Sequence, residues 1–261
     1  MSEYGPYRHL DATVDAGVAT LTIDRPATHN ALNTAVMHDL GRAFAEIEND
    51  RDAVDAVVIQ GAGDEAFSAG ADLAEYAGPF ADHDPEQRER QERFHEIFRA
   101  PHDCHAPVIA QIDGFCIGGG LVLALYCDLR VASERSTFGL PTAAVGLLPT
   151  GGATRRLVDA IGESTAKELV FTAERVDAAR AREMGLLTDV VAADTLEERV
   201  AELVASMGAV GDEARTRAKR AINAAVAAPD PATAREREAA LWWEQFASDE
   251  RRDRVAEFVE K

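Results

Sequence analysis

Lysine is almost missing from this chain. Of 27 basic residues only Lys167, Lys219 and Lys261 are lysines, they face 46 Asp and Glu, and the net charge is −19. That balance argues against nucleic acid as a partner, because phosphate backbones are gripped by clustered Lys and Arg, and it repels anionic membrane surfaces. Dense carboxylates with little lysine are expected of a protein from a salt-rich interior, where counterions screen self-repulsion. Long apolar runs are also lacking. The longest nearly uncharged stretch, residues 115–127, is too short to span a bilayer and is bounded by Asp113 and Asp128, so it is expected as buried core. Cysteine stops at three, Cys104, Cys116 and Cys127, an odd number that suggests reduced intracellular thiols rather than a disulfide framework. Residues 1–5 show neither the basic nor the apolar region of a secretion signal, so a cytoplasmic location is expected.

What is present is enough apolar material, 46% of 261 residues, for one full core. Residues 14–23 alternate as a strand, and the Asp24-Arg25-Pro26 break leads to a helix capped by Asn33 or Thr34. Residues 56–59 and 108–112 are short buried strands, and 129–132 is a third. The segments 138–141 and 146–152 read as irregular loops, and helices dominate from Ala153 onward. Between the first two strands, residues 82–99 form a highly charged helix anchored by Phe94, Ile97 and Phe98; a charge run of this kind is normally a solvated face. The expected division is a core over residues 1–195 and a helical arm over 196–261, whose Leu241-Trp242-Trp243 and Phe246 would pack on the chain's own core or on a neighbour.

Two glycine-rich stretches carry the chemistry. Phe67-Ser68-Ala69-Gly70-Ala71-Asp72-Leu73 and Gly114-Phe115-Cys116-Ile117-Gly118-Gly119-Gly120 each follow a strand and precede a helix. Small residues let a ligand approach the main chain, and the helix after Gly120 adds its dipole, so two N–H groups are expected to converge on one anion. Other readings fit less well. Gly114-Phe115-Cys116-Ile117-Gly118 has the spacing of a nucleophile elbow with cysteine for serine, but all seven histidines precede Cys116, the wrong order for that machinery. The triplet Gly118-Gly119-Gly120 lacks the spacing of a dinucleotide turn. His102 and His105 are the one closely spaced histidine pair, which is thin support for a metal, and none is expected.

Together with Asp24-Arg25-Pro26, Asn30-Ala31-Leu32, Phe138-Gly139-Leu140-Pro141 and Gly146-Leu147-Leu148-Pro149, these stretches resemble the crotonase superfamily of enoyl-CoA hydratases and isomerases, in order and across nearly the whole chain. The resemblance implies an α/β fold, a spiral of ββα units with a C-terminal helical arm, assembled as a homotrimer or hexamer. It implies an acyl-CoA substrate with no cofactor beyond its own coenzyme A. The thioester oxygen would be held by the N–H groups of Ala71 and Gly119, with Gly118 beside them. Coenzyme A would lie along residues 27–31 and 69–73, including Ala27, Ala69, Asp72 and Leu73, with Phe258 and Lys261 near the adenine.

The departures are as informative. Where hydratases of the superfamily carry glutamates this chain has Val122 and Thr142, and where some isomerases carry an aspartate it has Thr150; all three become pocket lining. A positioned acid or base is worth roughly 10² to 10⁴ in rate, so hydration needs a substitute, for which Glu75, Asp72, Asp113, His95, Tyr126 and Asp128 are the candidates. Decarboxylation of a malonyl-type thioester needs only the enolate-stabilising hole, and a non-catalytic acyl-CoA-binding subunit needs no proton transfer at all.

Overall fold

The computed structural model describes residues 2–76 and 85–260. The stretch expected as one strand over residues 14–23 is instead part of a hairpin, β2 (Leu10–Asp15) against β3 (Val18–Ile23), with β1 (Ser2–Glu3) paired to β2. Ala16 and Gly17 both adopt positive φ, 47° and 82°, the geometry of a tight two-residue hairpin turn that reverses the chain where alternation alone reads straight through.

From there one pattern recurs. β4 (Ala56–Gly61), β5 (Ala66–Ser68) and α2 form a first ββα unit; β6 (Val108–Ile112), β7 (Phe115–Ile117) and α3 a second; β8 (Leu129–Ser133), β9 (Thr137–Gly139) and α4 a third. In each unit the first strand joins a seven-stranded sheet ordered β1-β2-β3-β4-β6-β8-β11, and the second joins a four-stranded sheet ordered β10-β9-β7-β5. β10 (Val176–Asp177) and β11 (Asp189–Val191) complete the two sheets. Phe138 and Gly139, expected within an irregular loop, thus belong to a strand paired in parallel with β7.

The helices are α1 (Thr34–Asn49), α2 (Pro85–Asp103), α3 (Gly119–Tyr126), α4 (Ala153–Ile161), α5 (Glu163–Thr172), α6 (Ala178–Glu183), α7 (Leu196–Gly208), α8 (Asp212–Val226), α9 (Pro231–Phe246) and α10 (Asp249–Val259). Asn33 caps α1 as expected, its side chain accepting from the Val36 N–H at 2.9 Å. α2 runs past the expected end at residue 99, through Pro101 to Asp103; residues 82–84 lie outside the described residues. α3 is buried along nearly its whole length, as the uncharged run 115–127 requires.

Alternation along the large sheet decides what packs where. Val57 and Ile59 of β4 and Val108, Ala110 and Ile112 of β6 face the main core with α1 and α3, while Val58, Ile109 and Val131 face the other way and are covered by Leu196 and Val200 of α7. On α9 Leu241 is buried, but Trp242 and Trp243 are 54% and 61% exposed, their rings clustered with Phe246 at 4.7 and 4.9 Å from Trp242. The aromatic face therefore does not pack on the chain's own core. Among the described residues no helix is long and apolar enough to cross a membrane.

Candidate active site

β5 and β7 are parallel neighbours in the small sheet, so the turns that follow them leave from the same edge. At Gly70 φ is +96°, and a Cβ there would sit 2.7 Å from the Ile117 carbonyl oxygen and 3.0 Å from the Gly119 nitrogen. A Cβ on Gly119 would in turn lie 3.3 Å from the Ala71 nitrogen. The two turns touch backbone to backbone, which only glycine permits here. Leu32 secures the first turn, donating from its N–H to Gly70 O at 2.7 Å and accepting from the Asp72 N–H at 3.1 Å; the Gly118 N–H secures the second, donating to Gly139 O at 2.9 Å. Among the described residues neither the Ala71 nor the Gly119 N–H has a backbone acceptor. Gly119 is also the first residue of α3, where main-chain N–H groups are left unpaired and the helix dipole is positive.

These amides open onto a cavity of about 430 Å³. Of the residues expected to bind substrate, Gly118, Val122, Thr142 and Thr150 line it together with Ala71 and Gly119. Leu32, Met37, Phe94, Phe98 and Leu140 make its lining largely apolar. The Thr142 hydroxyl oxygen is buried with no hydrogen-bond partner among the described residues. Ala27, Ala69, Asp72 and Leu73 lie outside this cavity. Ala69 donates its N–H to His29 O at 2.9 Å. Asp72 pairs with Arg25 at 3.0 Å, and Arg25 also donates to Ala31 O at 2.6 Å, so one guanidinium clips residues 25–31 to the turn carrying Ala71. Leu73 is 53% exposed, and Phe258, on α10, is 83% exposed. Lys261 lies outside the described residues.

The structure gives most of the candidate acid and base groups other work. Glu75 accepts from the N–H and hydroxyl of Thr34 at the start of α1. Asp113 is held by Ser133 and by Arg135; burial opposes its charge, but these bonds and the Arg135 charge outweigh burial and hold the carboxyl below its ordinary value. Asp128 faces Lys219 at 2.7 Å, yet burial dominates and pushes its carboxyl up. Tyr126 is buried, which raises its hydroxyl, and Arg156 lies over its ring at 4.7 Å. Cys116 is fully buried and burial drives its thiol well above the ordinary range, the behaviour of a packing residue rather than a nucleophile.

His95 remains, and it does line the cavity, with Arg88 and Glu92 from the same helix. Neither Arg88 nor Glu92 stood out among the charges of residues 82–99. The recoverable signal was spacing: positions 88, 91, 95 and 98 fall on one helical face. His102 and His105 do not converge. His105 Nδ1 lies 2.8 Å from Glu48 Oε1, while the His102 ring stacks 6.4 Å from Tyr126. Glu48, Cys104 and His105 bring potential ligand atoms within 4.8 Å of one another. Glu48 already accepts from the His105 N–H at 2.6 Å as well as from the ring, and burial lifts the Cys104 thiol to about 12, so the group reads as a structural contact.

Repeated ββα units feeding two sheets whose central strands run parallel, with two unpaired amides meeting at the edge of the smaller one, define the crotonase fold. The chain belongs to the enoyl-CoA hydratase/isomerase family, whose model matches residues 13–261. It is 35% identical over 245 residues to a short-chain-enoyl-CoA hydratase of Clostridium acetobutylicum, covering 94% of this chain and 92% of the relative. Among solved structures it matches an enoyl-CoA hydratase from Bacillus anthracis with a TM-score of 0.91 at 30% identity, covering 97% of this chain and 96% of that one. It also matches a Thermobifida fusca protein solved in complex with acetoacetyl-CoA, with a TM-score of 0.83 at 31% identity over 92% of this chain and 95% of the other. Enzymes of this family need no cofactor beyond the coenzyme A of their substrate.

Proposed function

We propose that this chain is an acyl-CoA enzyme that binds the thioester oxygen between the N–H groups of Ala71 and Gly119 and stabilises the enolate formed during reaction. The supporting observation is the approach of the two unpaired amides, a Cβ on Gly119 falling 3.3 Å from the Ala71 nitrogen, at the mouth of a largely apolar cavity. Negative charge moves onto the thioester oxygen as C2 gains carbanion character, and fixed donors aimed at that oxygen favour this state over the ground state. Each such donor is worth about 3 to 4 kcal/mol in sites of this type. The Arg25 clip joins residues 25–31 to the 69–73 turn, which suits a coenzyme A lying across both, with Ala27, Ala69, Asp72 and Leu73 along its length.

Within that class the favoured reaction is addition of water to a 2-enoyl-CoA, the activity named for the Clostridium acetobutylicum relative. One observation favours a second reading. The three positions where enzymes of the superfamily carry acids hold Val122, Thr142 and Thr150 on the cavity wall, which suits loss of CO₂ from a malonyl-type thioester. The exposed Trp242, Trp243 and Phe246 support assembly into a homotrimer or hexamer, which sedimentation equilibrium measures directly.

The test is a mass-spectrometric screen in molar KCl against crotonyl-CoA, a 3-enoyl-CoA, malonyl-type thioesters and butyryl-CoA, with Gly119→Pro as control. Hydration of crotonyl-CoA that is lost in the control is expected. Loss of CO₂ without hydration selects the second reading, and binding without turnover of any thioester makes the chain a non-catalytic subunit.

A further inference from the structure

The cavity has one wall of a different character from the rest. Arg88, Glu92 and His95 are the titratable side chains lining it among the described residues, and all three come from α2. Neither Glu92 nor His95 has a hydrogen-bond or ion-pair partner among the described residues. Both are exposed to solvent, so what sets His95 apart is its position on the cavity wall rather than its lack of a partner.

The placement of His95 is specific. The turn of residues 150–152 is pressed against α2 and α3. A Cβ on Gly151 would lie 2.8 Å from Phe98 Cδ2 and 3.3 Å from Val122 Cγ1, and one on Gly152 would lie 3.3 Å from His95 Cε1 and collide with the Tyr126 hydroxyl. The imidazole therefore sits against the turn that carries Thr150 and close to Val122, two of the positions where an acid is missing. Its titratable or charged surroundings are Glu92 and Arg88 from its own helix and Tyr126 from α3, with Arg156 of α4 behind Tyr126. The third position, Thr142, offers a buried hydroxyl without a partner on the same cavity.

We propose that His95 is the catalytic proton-transfer residue of this cavity. The proposal rests on the thioester reading given above. For a 2-enoyl-CoA, neutral His95 takes a proton from water as the water oxygen bonds to C3, and the C2–C3 π electrons move onto the thioester as an enolate held by Ala71 and Gly119. The imidazolium then returns that proton to C2 as the enolate collapses, so water is the sole co-reactant and the imidazole ends neutral. The free hydroxyl of Thr142 orients the water. General acid–base catalysis by one such group accounts for about 10² to 10⁴ in rate.

The experiment compares wild type with His95→Gln for crotonyl-CoA hydration, with butyryl-CoA affinity measured by calorimetry and melting temperature as a fold control. The expected result for His95→Gln is a kcat lower by about 10² to 10⁴. Butyryl-CoA affinity stays within about threefold, since the lost interaction belongs to the transition state. Retention of kcat to within about tenfold in His95→Gln, or a wild type that releases CO₂ and never hydrates, overturns the role of His95 and leaves the amide hole standing. A wild type that does not bind butyryl-CoA overturns both.

Discussion

Lys219 of α8 meets Asp128 at the head of β8 with 2.7 Å between Nζ and carboxylate, and the same ammonium donates to the carbonyls of Pro101 and Ala106 at 2.9 Å each. Asp128 for its part accepts from the Val108 N–H at 2.7 Å. One of three lysines thus joins the arm to the end of α2 and to two core strands. Lys219→Met leaves a carboxylate and two carbonyls without their donor. It is expected to lower unfolding free energy by about 2 to 4 kcal/mol, read by urea denaturation, with much less loss when combined with Asp128→Asn.

Asn30 is fully buried at φ 55°, donates to Ala62 O and Ala66 O at 3.0 and 2.7 Å, and accepts from the Arg25 N–H at 3.0 Å. Its side chain replaces a missing stretch of backbone ladder between residues 25–31 and the end of β4. Asn30→Ala is expected to cost about 2 to 4 kcal/mol and to weaken butyryl-CoA binding, since the loop proposed to carry coenzyme A loses its anchor.

Gly152 has no room for a side chain, because a Cβ meets the Tyr126 hydroxyl and then the His95 ring, and its φ is +78°. Gly152→Ala is expected to reduce kcat for the thioester substrate more than it reduces stability, which falls by about 1 to 3 kcal/mol. Parallel kinetics and thermal melts separate the two effects.

His102 supplies a pH test. Burial first, then the charge of Arg156, lowers its value from 6.5 to about 4, against the opposing pull of Asp103. Its Nδ1 is buried without a partner among the described residues. The unfolded chain takes up the proton before the folded one does, so the contribution to stability is complete above 6.5 and is lost as pH falls toward about 4. His102→Gln is expected to flatten the dependence of melting temperature on pH across that window, leaving the profile above 6.5 unchanged.

The central strands of the large sheet, β4, β6 and β8, were legible because each is a run of five or six residues with an apolar stretch, bounded by polar or glycine punctuation. The small sheet was not. β5, β7 and β9 have three residues each and sit inside glycine-rich segments, too short for alternation to register, so Phe138-Gly139 read as loop. The hairpin was hidden because Ala16 and Gly17 interrupt the alternation by only one turn. The approach of two turns was legible from the paired glycine segments, while Ala71 and Gly119 themselves were named by the resemblance to the superfamily. The α2 wall was half legible: His95 could be named from its residue type, but Glu92 was one of several carboxylates in a charged helix, and which of them faces a cavity depends on packing against α3 and on the turn of residues 150–152.

The Ala71 and Gly119 amides are main-chain atoms, kept in place by glycine contacts and by a sheet edge rather than by any functional side chain. No exchange of side chains at Val122, Thr142 or Thr150 deletes them. A lineage inheriting this backbone can therefore trade one reaction for another by changing a few lining residues, while the amide pair proposed to hold the thioester oxygen passes down unaltered.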